Sequence, residues 1–457
     1  MKRSSVRCWI AAISIACFPW QGVGSENAPT LRVATFRCDV TPPVDGRFLG
    51  GWGQPLTKLL DPLWAKGIVL DDGSVRYVLC AVDWCELCNG THLLWRRKVA
   101  EAAGIEPSRV AIQCVHQHTA PVADGDAQAL LDKQPSPPQC TDRKSLEELA
   151  DRLAAAVKQS LARLEPFDRV GTGEAQVDCV AANRRVVLKD GKLHVRWSSC
   201  TDPELQSAPE GLIDPMLKTI TLARGGKPLA RFHYYATHPQ TGLGDGPVSI
   251  DFVGFARDKF EQAEGVFQVY FTGCSGNVTA GKYNDGTARA RGELTQRLLA
   301  AMGVSVAATR FAPAERIGWR TVSLTLPVRN DTGYGAAENR EILTTSQANG
   351  TARISAAGRL AFHERSHLPI ELSALAIGPV HVLHLPGEPF VEFQLYAQEF
   401  SPQCFVAVAG YGDGGPGYLC TEKSYPAGGY EPTATMLAPA SEAILKQAIG
   451  QVLTSGP

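Results

Sequence analysis

The side chains of this 457-residue chain best suited to chemistry follow short apolar runs. Val110-Ala-Ile-Gln-Cys-Val115 leads into His116-Gln117-His118-Thr119-Ala120-Pro121, and Leu229 to Ala236 leads into Thr237-His238-Pro239. Val380 to Leu385 runs into Pro386-Gly387-Glu388-Pro389, and Cys404 to Ala409 into a glycine-rich loop that ends at Tyr418. Two imidazoles, a carboxylate and a further oxygen donor are enough for a zinc shell. Loops past the carboxyl ends of strands are where α/β proteins build sites, because a rigid sheet aims them. Each piece also has a plain structural role: a histidine at a strand end satisfied by its neighbours, Pro-Gly-Glu-Pro as a turn. The glycine run lacks the following helix that a phosphate cradle needs. The residues alone point to a metal hydrolase and no further.

The elements that must position these groups are short Val- and Ile-rich strands with helices between them. Strands are expected over Tyr77 to Val82, Val110 to Val115, Leu229 to Tyr235, Phe267 to Phe271, Val380 to Leu385 and Cys404 to Ala409. Ser145-Leu146-Glu147-Glu148 has capping-box form, and apolar residues at spacings of three and four extend a helix toward Glu165. Further helices are expected over Asp251 to Glu264, and from Thr287 to Met302 with a stop at Gly303. Ala123 to Asp142, rich in Pro, Asp and Gln, reads as a surface excursion, and no repeat stands out. This alternation predicts an α/β or α+β protein whose sheets are covered by helices.

Composition narrows the function classes. Apolar residues make up 44% and charged residues 20%, ordinary for a globular enzyme, and the formal charge of −1 offers no surface for nucleic acid. Lys2, Arg3 and Arg7 precede the apolar run Cys8 to Phe18 and the small residues Val23-Gly24-Ser25, which predicts a signal peptide over residues 1–25 and one catalytic domain over 30–457. No run is long enough for a transmembrane helix, so the expected setting is periplasmic or secreted, with a lipoprotein anchor at Cys17 the weaker alternative. Of 13 cysteines, those from Cys38 to Cys420 remain after the signal, and in an oxidising compartment several could pair. Cys85-Glu86-Leu87-Cys88 lacks a second such pair for zinc and reads as packing or a disulfide partner.

The order and local wording of these segments resemble the neutral/alkaline, non-lysosomal ceramidase family. Asp39-Val40-Thr41 is similar to its opening Asp-Ile-Thr turn, His116-Gln117-His118-Thr119-Ala120-Pro121 to its H-x-H-S-G-P segment, and Asn183-Arg184 to its Asn-Arg-Ser. Ala236-Thr237-His238, Pro386-Gly387-Glu388 and the stretch from Tyr418 to Tyr430-Glu431 follow in the family's order. The resemblance implies two central β-sheets packed together and flanked by helices. It also implies zinc held by His116, His238, Glu388 and Tyr418, and attack of zinc-activated water on the amide of ceramide or a related N-acyl lipid. His118 would support the oxyanion or shuttle a proton, with Tyr430 and Arg184 donating to the carbonyl or headgroup. Transient contact with a membrane surface would follow from such a substrate.

Two departures bear on this. Gly276-Asn277-Val278-Thr279-Ala280-Gly281 stands where the family has Gly-Asp-Val-Ser-Pro-Asn, so Thr279 replaces a catalytically important serine and adds a methyl. The chain also ends soon after Tyr430, which leaves no C-terminal immunoglobulin-like domain. Two rival readings are a zinc-containing binding protein without activity and a zincin-type protease. The latter rests on His363-Glu364-Arg365-Ser366-His367, which matches H-E-x-x-H but has Gly358 before it and Leu368-Pro369 at its end, leaving a helix little room.

Overall fold

The computed structural model describes residues 30–454 apart from 52, 243–245 and 346–347. The proposed signal segment lies outside the described residues.

One topological unit occurs three times along the chain. In the first, Arg32–Asp39, Trp64–Asp71 and Arg76–Val82 form an antiparallel meander. The helix Asn89–Ala103 then crosses over to Val110–Cys114, which lies parallel to Arg76–Val82. The second unit repeats this with Arg169–Gln176, Met216–Arg224 and Lys227–Tyr235, the helix Asp251–Glu264, and Phe267–Thr272 parallel to the strand before the helix. The third uses Ile317–Leu324, Ile370–Ile377 and Val380–His384, the helix Val391–Phe400, and Phe405–Ala409. A second helix follows in each unit (Arg143–Ser160, Ala288–Ala307, Ser441–Thr454) and packs on the unit's first strand and on its crossover helix. Short edge strands, Glu165–Pro166 and Arg310–Pro313, bring the first two sheets to five strands; the third has four.

Turn chemistry explains the hairpins. Arg224-Gly225-Gly226-Lys227 reverses the second unit with φ of 53° and 86° at its two glycines, the mirror-image turn that matches strand twist. In the first unit the Asp72 carboxylate accepts from the backbone N–H of Ser74 and Val75.

The two five-stranded sheets pack together as expected, and the third sheet joins the same core. Ile68 and Leu79 of the first sheet, Ile220 and Phe232 of the second, and Leu375 and Val382 of the third are buried in one apolar cluster. Helices cover the outer faces: Trp95, Val99, Leu149 and Leu153 over the first sheet, and Phe393, Leu445 and Ile449 over the third. The carboxyl ends of the three parallel strand pairs face a common region, where Thr272 Oγ1 donates to Val115 O and Gln113 Nε2 donates to Leu385 O and Ala409 O.

The structure corrects several expectations. The helix expected from Ser145 begins at Arg143, with Asp142 as its N-cap; the Ser145 hydroxyl donates to that carboxylate at 2.6 Å. The helix expected to stop at Gly303 continues to Ala307, because the second sheet still offers it a surface. The segment Ala123 to Asp142 is more than a surface excursion. It contains the helix Gly125–Leu131, whose Ala127 and Leu131 pack with Cys140 against Ala357 and Leu360 of the helix Gly350–Arg365. That last helix runs through Gly358 with room to spare but ends before His367, and its His363 ring bonds the Tyr334 carbonyl. All eleven cysteines from Cys38 to Cys420 are free thiols, so Cys85 and Cys88 are not disulfide partners.

Candidate metal centre

His116, His238 and Glu388 arrive from three different units. His116 is the second residue past the parallel strand Val110–Cys114 and has a left-handed backbone, φ 73°. For a residue with a β-carbon this is uncommon; here it is held by the His116 N–H donating to Trp84 O at 2.8 Å. His238 is three residues past Lys227–Tyr235, and its N–H donates to Val278 O at 3.0 Å. Glu388 opens the two-residue strand Glu388–Pro389, parallel to Tyr418–Leu419, with Glu388 directly beside Tyr418.

The three side chains form a nearly equilateral triangle. His116 Nε2 and His238 Nε2 are 3.2 Å apart, and each lies 3.2 Å from Glu388 Oε2. The far nitrogens are occupied: His116 Nδ1 donates to Cys85 O at 2.9 Å and His238 Nδ1 to Ser275 O at 2.7 Å. These carbonyls fix both tautomers and leave the Nε2 lone pairs pointing at the carboxylate. Burial pushes His238 down to about 4, so its ring is neutral near pH 7.

Two ring nitrogens and a carboxylate oxygen therefore converge in a buried space, where Glu388 Oε2 has no hydrogen-bond partner. A cation resolves this. Ligands about 2.0–2.1 Å from a tetrahedral zinc stand about 3.3 Å apart, close to the 3.2 Å edges here. The donor set fits zinc, with Tyr418 as the adjacent oxygen. Burial pushes the Tyr418 phenol well above its usual range, and only a neighbouring positive charge would favour the phenolate.

The other residues singled out in the sequence surround this triangle. His118 Nε2 is 3.2 Å from His116 Nε2, and burial together with His116 and His238 pushes its ring well down, keeping it neutral. Thr279 is fully buried beside His238; its hydroxyl oxygen accepts from Gly281 N–H, and its strand Val278–Thr279 pairs with Ala182–Asn183. That pairing brings in Arg184, whose Nε donates to Glu431 at 2.8 Å and whose guanidinium lies over the Tyr418 and Tyr430 rings. Its buried Nη2 makes no hydrogen bond. Burial pushes Tyr430 up to about 12, so its phenol is a donor at neutral pH. All eight residues are thus within one site.

Sequence reasoning gave no catalytic or metal-binding role to four supporting residues. Glu86 is hydrogen-bonded to Glu388, and burial pushes its own carboxyl well up, so it carries the shared proton. Glu431 is fully buried and holds Arg184 and Arg185. Tyr411 and Ser275 meet behind the histidines, with their hydroxyls 2.6 Å apart. Glu431 lies in the family-like stretch that ends at Tyr430-Glu431, but the partners of all four appear only where the fold gathers them. A cleft of about 350 Å³ that includes Gly51, Glu86, Tyr334 and Gly417 adjoins the centre.

Two solved structures share this architecture. One is the neutral ceramidase from Pseudomonas aeruginosa, with a TM-score of 0.68 and 16% identity over 93% of this chain and 74% of that one. The other is a ceramidase complexed with C2, with a TM-score of 0.69, the same identity and the same coverage. The chain has the neutral ceramidase fold. No protein-family model and no curated protein matches the sequence. The ceramidase fold in this chain is therefore a likeness of architecture, with its threefold unit and its convergent strand ends.

Proposed function

We propose that this chain belongs to the neutral/alkaline ceramidases and is a zinc-dependent amidohydrolase. Its substrate is ceramide or a related N-acyl lipid, and its zinc ligands are His116, His238, Glu388 and Tyr418. The observation that carries this is the 3.2 Å triangle of buried lone pairs on the ceramidase fold. Zinc supplies Lewis acidity toward the acyl carbonyl and a water made nucleophilic near neutral pH. The chain's own groups do the rest. Arg184 Nη2, a buried donor without a partner, and the Tyr430 phenol donate to the carbonyl oxygen as it gains charge. His118, neutral and next to the triangle, takes the proton of the attacking water and returns it to the leaving nitrogen. Water oxygen bonds to the acyl carbon, the C–N bond breaks, and a fatty acid and an amine leave. The Thr279 hydroxyl, beside His238, stands in for the family serine.

Residues 30–457 act as one catalytic unit in this proposal, and the basic-apolar start of the chain directs export to the periplasm or beyond. No helix among the described residues is long and apolar enough to cross a membrane, so lipid substrate is met by transient surface contact. The test is fatty-acid release from a panel of N-acyl lipids, ceramide included, with and without a strong zinc chelator. Chelator-sensitive release from any member supports the reading, and release from ceramide fixes the substrate. No release from any of them by zinc-loaded protein would reject it and leave a zinc-containing binding protein.

A further inference from the structure

We infer that Tyr411, together with Ser275, is the positioning device that sets the spacing of the two histidines for the metal. Tyr411 sits two residues past Phe405–Ala409, the place in the third unit that His116 takes in the first, and both residues are left-handed, with φ 62° and 73°. Such a backbone is strained for a bulky residue and persists only where the surroundings over-determine it. Here they do. The Tyr411 backbone carbonyl accepts from Cys114 N–H at 2.7 Å, and its N–H donates to Gly387 O at 2.9 Å. This ties the loops that carry His116 and Glu388 to one residue.

The side chain links the histidines themselves. The Tyr411 ring stacks on His116, with centroids 4.2 Å apart and planes 25° apart. Its hydroxyl lies 2.6 Å from Ser275 Oγ and 3.5 Å from His238 Nδ1. Ser275 is the residue whose carbonyl takes the His238 Nδ1 proton at 2.7 Å. One aromatic ring therefore presses on one imidazole, and its hydroxyl anchors the residue that orients the other. Tyr411 is 2% exposed and Ser275 is fully buried behind the rings, so neither reaches substrate. Partners of this kind around a metal are worth roughly 10–100-fold in affinity.

This rests on the metal reading of the site and not on the identity of the substrate. The experiment is a zinc titration of metal-stripped protein against a chromophoric chelator, for wild type, Tyr411→Phe, Ser275→Ala and the double variant. Tyr411→Phe keeps the ring and the fold and removes only the hydroxyl. Each single variant is expected to bind zinc about tenfold more weakly. The double variant should lose no more than either single one, since both delete the same hydrogen bond. The cobalt-loaded Tyr411→Phe protein should show shifted ligand-field bands, which a purely structural role would not move. Wild-type zinc affinity and an unshifted cobalt spectrum in folded Tyr411→Phe and Ser275→Ala would overturn the positioning role alone. Wild-type protein that binds no zinc would overturn this and the metal reading together.

Discussion

His116 and His238 each donate one ring nitrogen to a backbone carbonyl and keep the other for the centre. Glu388 supplies the negative charge between them, which makes it the residue on which metal retention depends most. In Glu388→Gln the two imidazoles remain without a charged ligand beside them. Elemental analysis of the purified variant should find well under one zinc per chain, where wild type should carry one. Thr279 tests a different step. Thr279→Val keeps the shape and removes the hydroxyl; the expected outcome is a kcat about 100-fold lower, the size of losing one transition-state donor, with zinc content unchanged. Unchanged kcat would take Thr279 out of the chemistry. The candidate ligands stood out in the sequence because their segments follow a known family in wording and order. Tyr411 did not, because a tyrosine in a glycine-rich loop carries no chemical signal until the fold lays its ring on His116.

At the scale of elements, the six apolar runs apparent in the sequence pair off as the three parallel strand pairs. These strands are buried on both faces and so read as near-continuous apolar runs. The antiparallel strands were hidden by polar residues. Trp64–Asp71 contains Lys66, which is buried, pairs with Glu261 and lies over the Phe267 ring. Met216–Arg224 carries Lys218 and two threonines, and Arg32–Asp39 alternates buried with exposed positions. The threefold repeat left no sequence trace, since the connections differ in length and only the pairing pattern recurs. The first two units are joined at the site by Asp83, which precedes the loop of Cys85 and Glu86. Both its oxygens bond Arg257 of the second unit's crossover helix, at 2.6 and 3.0 Å, and both residues are fully buried. Breaking such a pair strands a charge, so Arg257→Met should lower unfolding free energy in urea by about 3–5 kcal/mol. A loss under 1 kcal/mol would mean that water reaches Asp83. Gly51→Ala probes the opposite wall. Its β-carbon would fall 2.7 Å from His118 Nδ1 and 2.9 Å from Cys85 Sγ, so amide cleavage should fall about tenfold or more while zinc content holds.

Across the whole molecule, three units meet at one centre, and each buries a histidine of its own in neutral form: His92, His233 and His384. Burial pushes His92 and His233 down to about 4 and His384 to about 3, from an ordinary value near 6.5. The unfolded chain binds protons at these rings first, so stability is complete above about pH 6.5 and is lost as pH falls toward 4 and below. Asp124, raised by burial to about 6, and Asp251 and Glu86, also raised by burial, work in the opposite sense over part of that window, while His381, lowered by burial, adds to the three rings. The urea midpoint should therefore fall steadily from pH 6.5 to pH 4. A flat profile over that range would mean that these rings are protonated in the folded protein.

The central claim is that one metal ion, held between His116, His238 and Glu388, makes this fold an amidohydrolase. The most direct measurement is amide cleavage of an N-acyl lipid followed while zinc is titrated into metal-stripped protein. No cleavage is expected without metal, followed by a rise to a plateau at one zinc per chain. Cleavage that is independent of zinc, or a protein that stays silent when fully loaded on every N-acyl lipid tried, would contradict the claim.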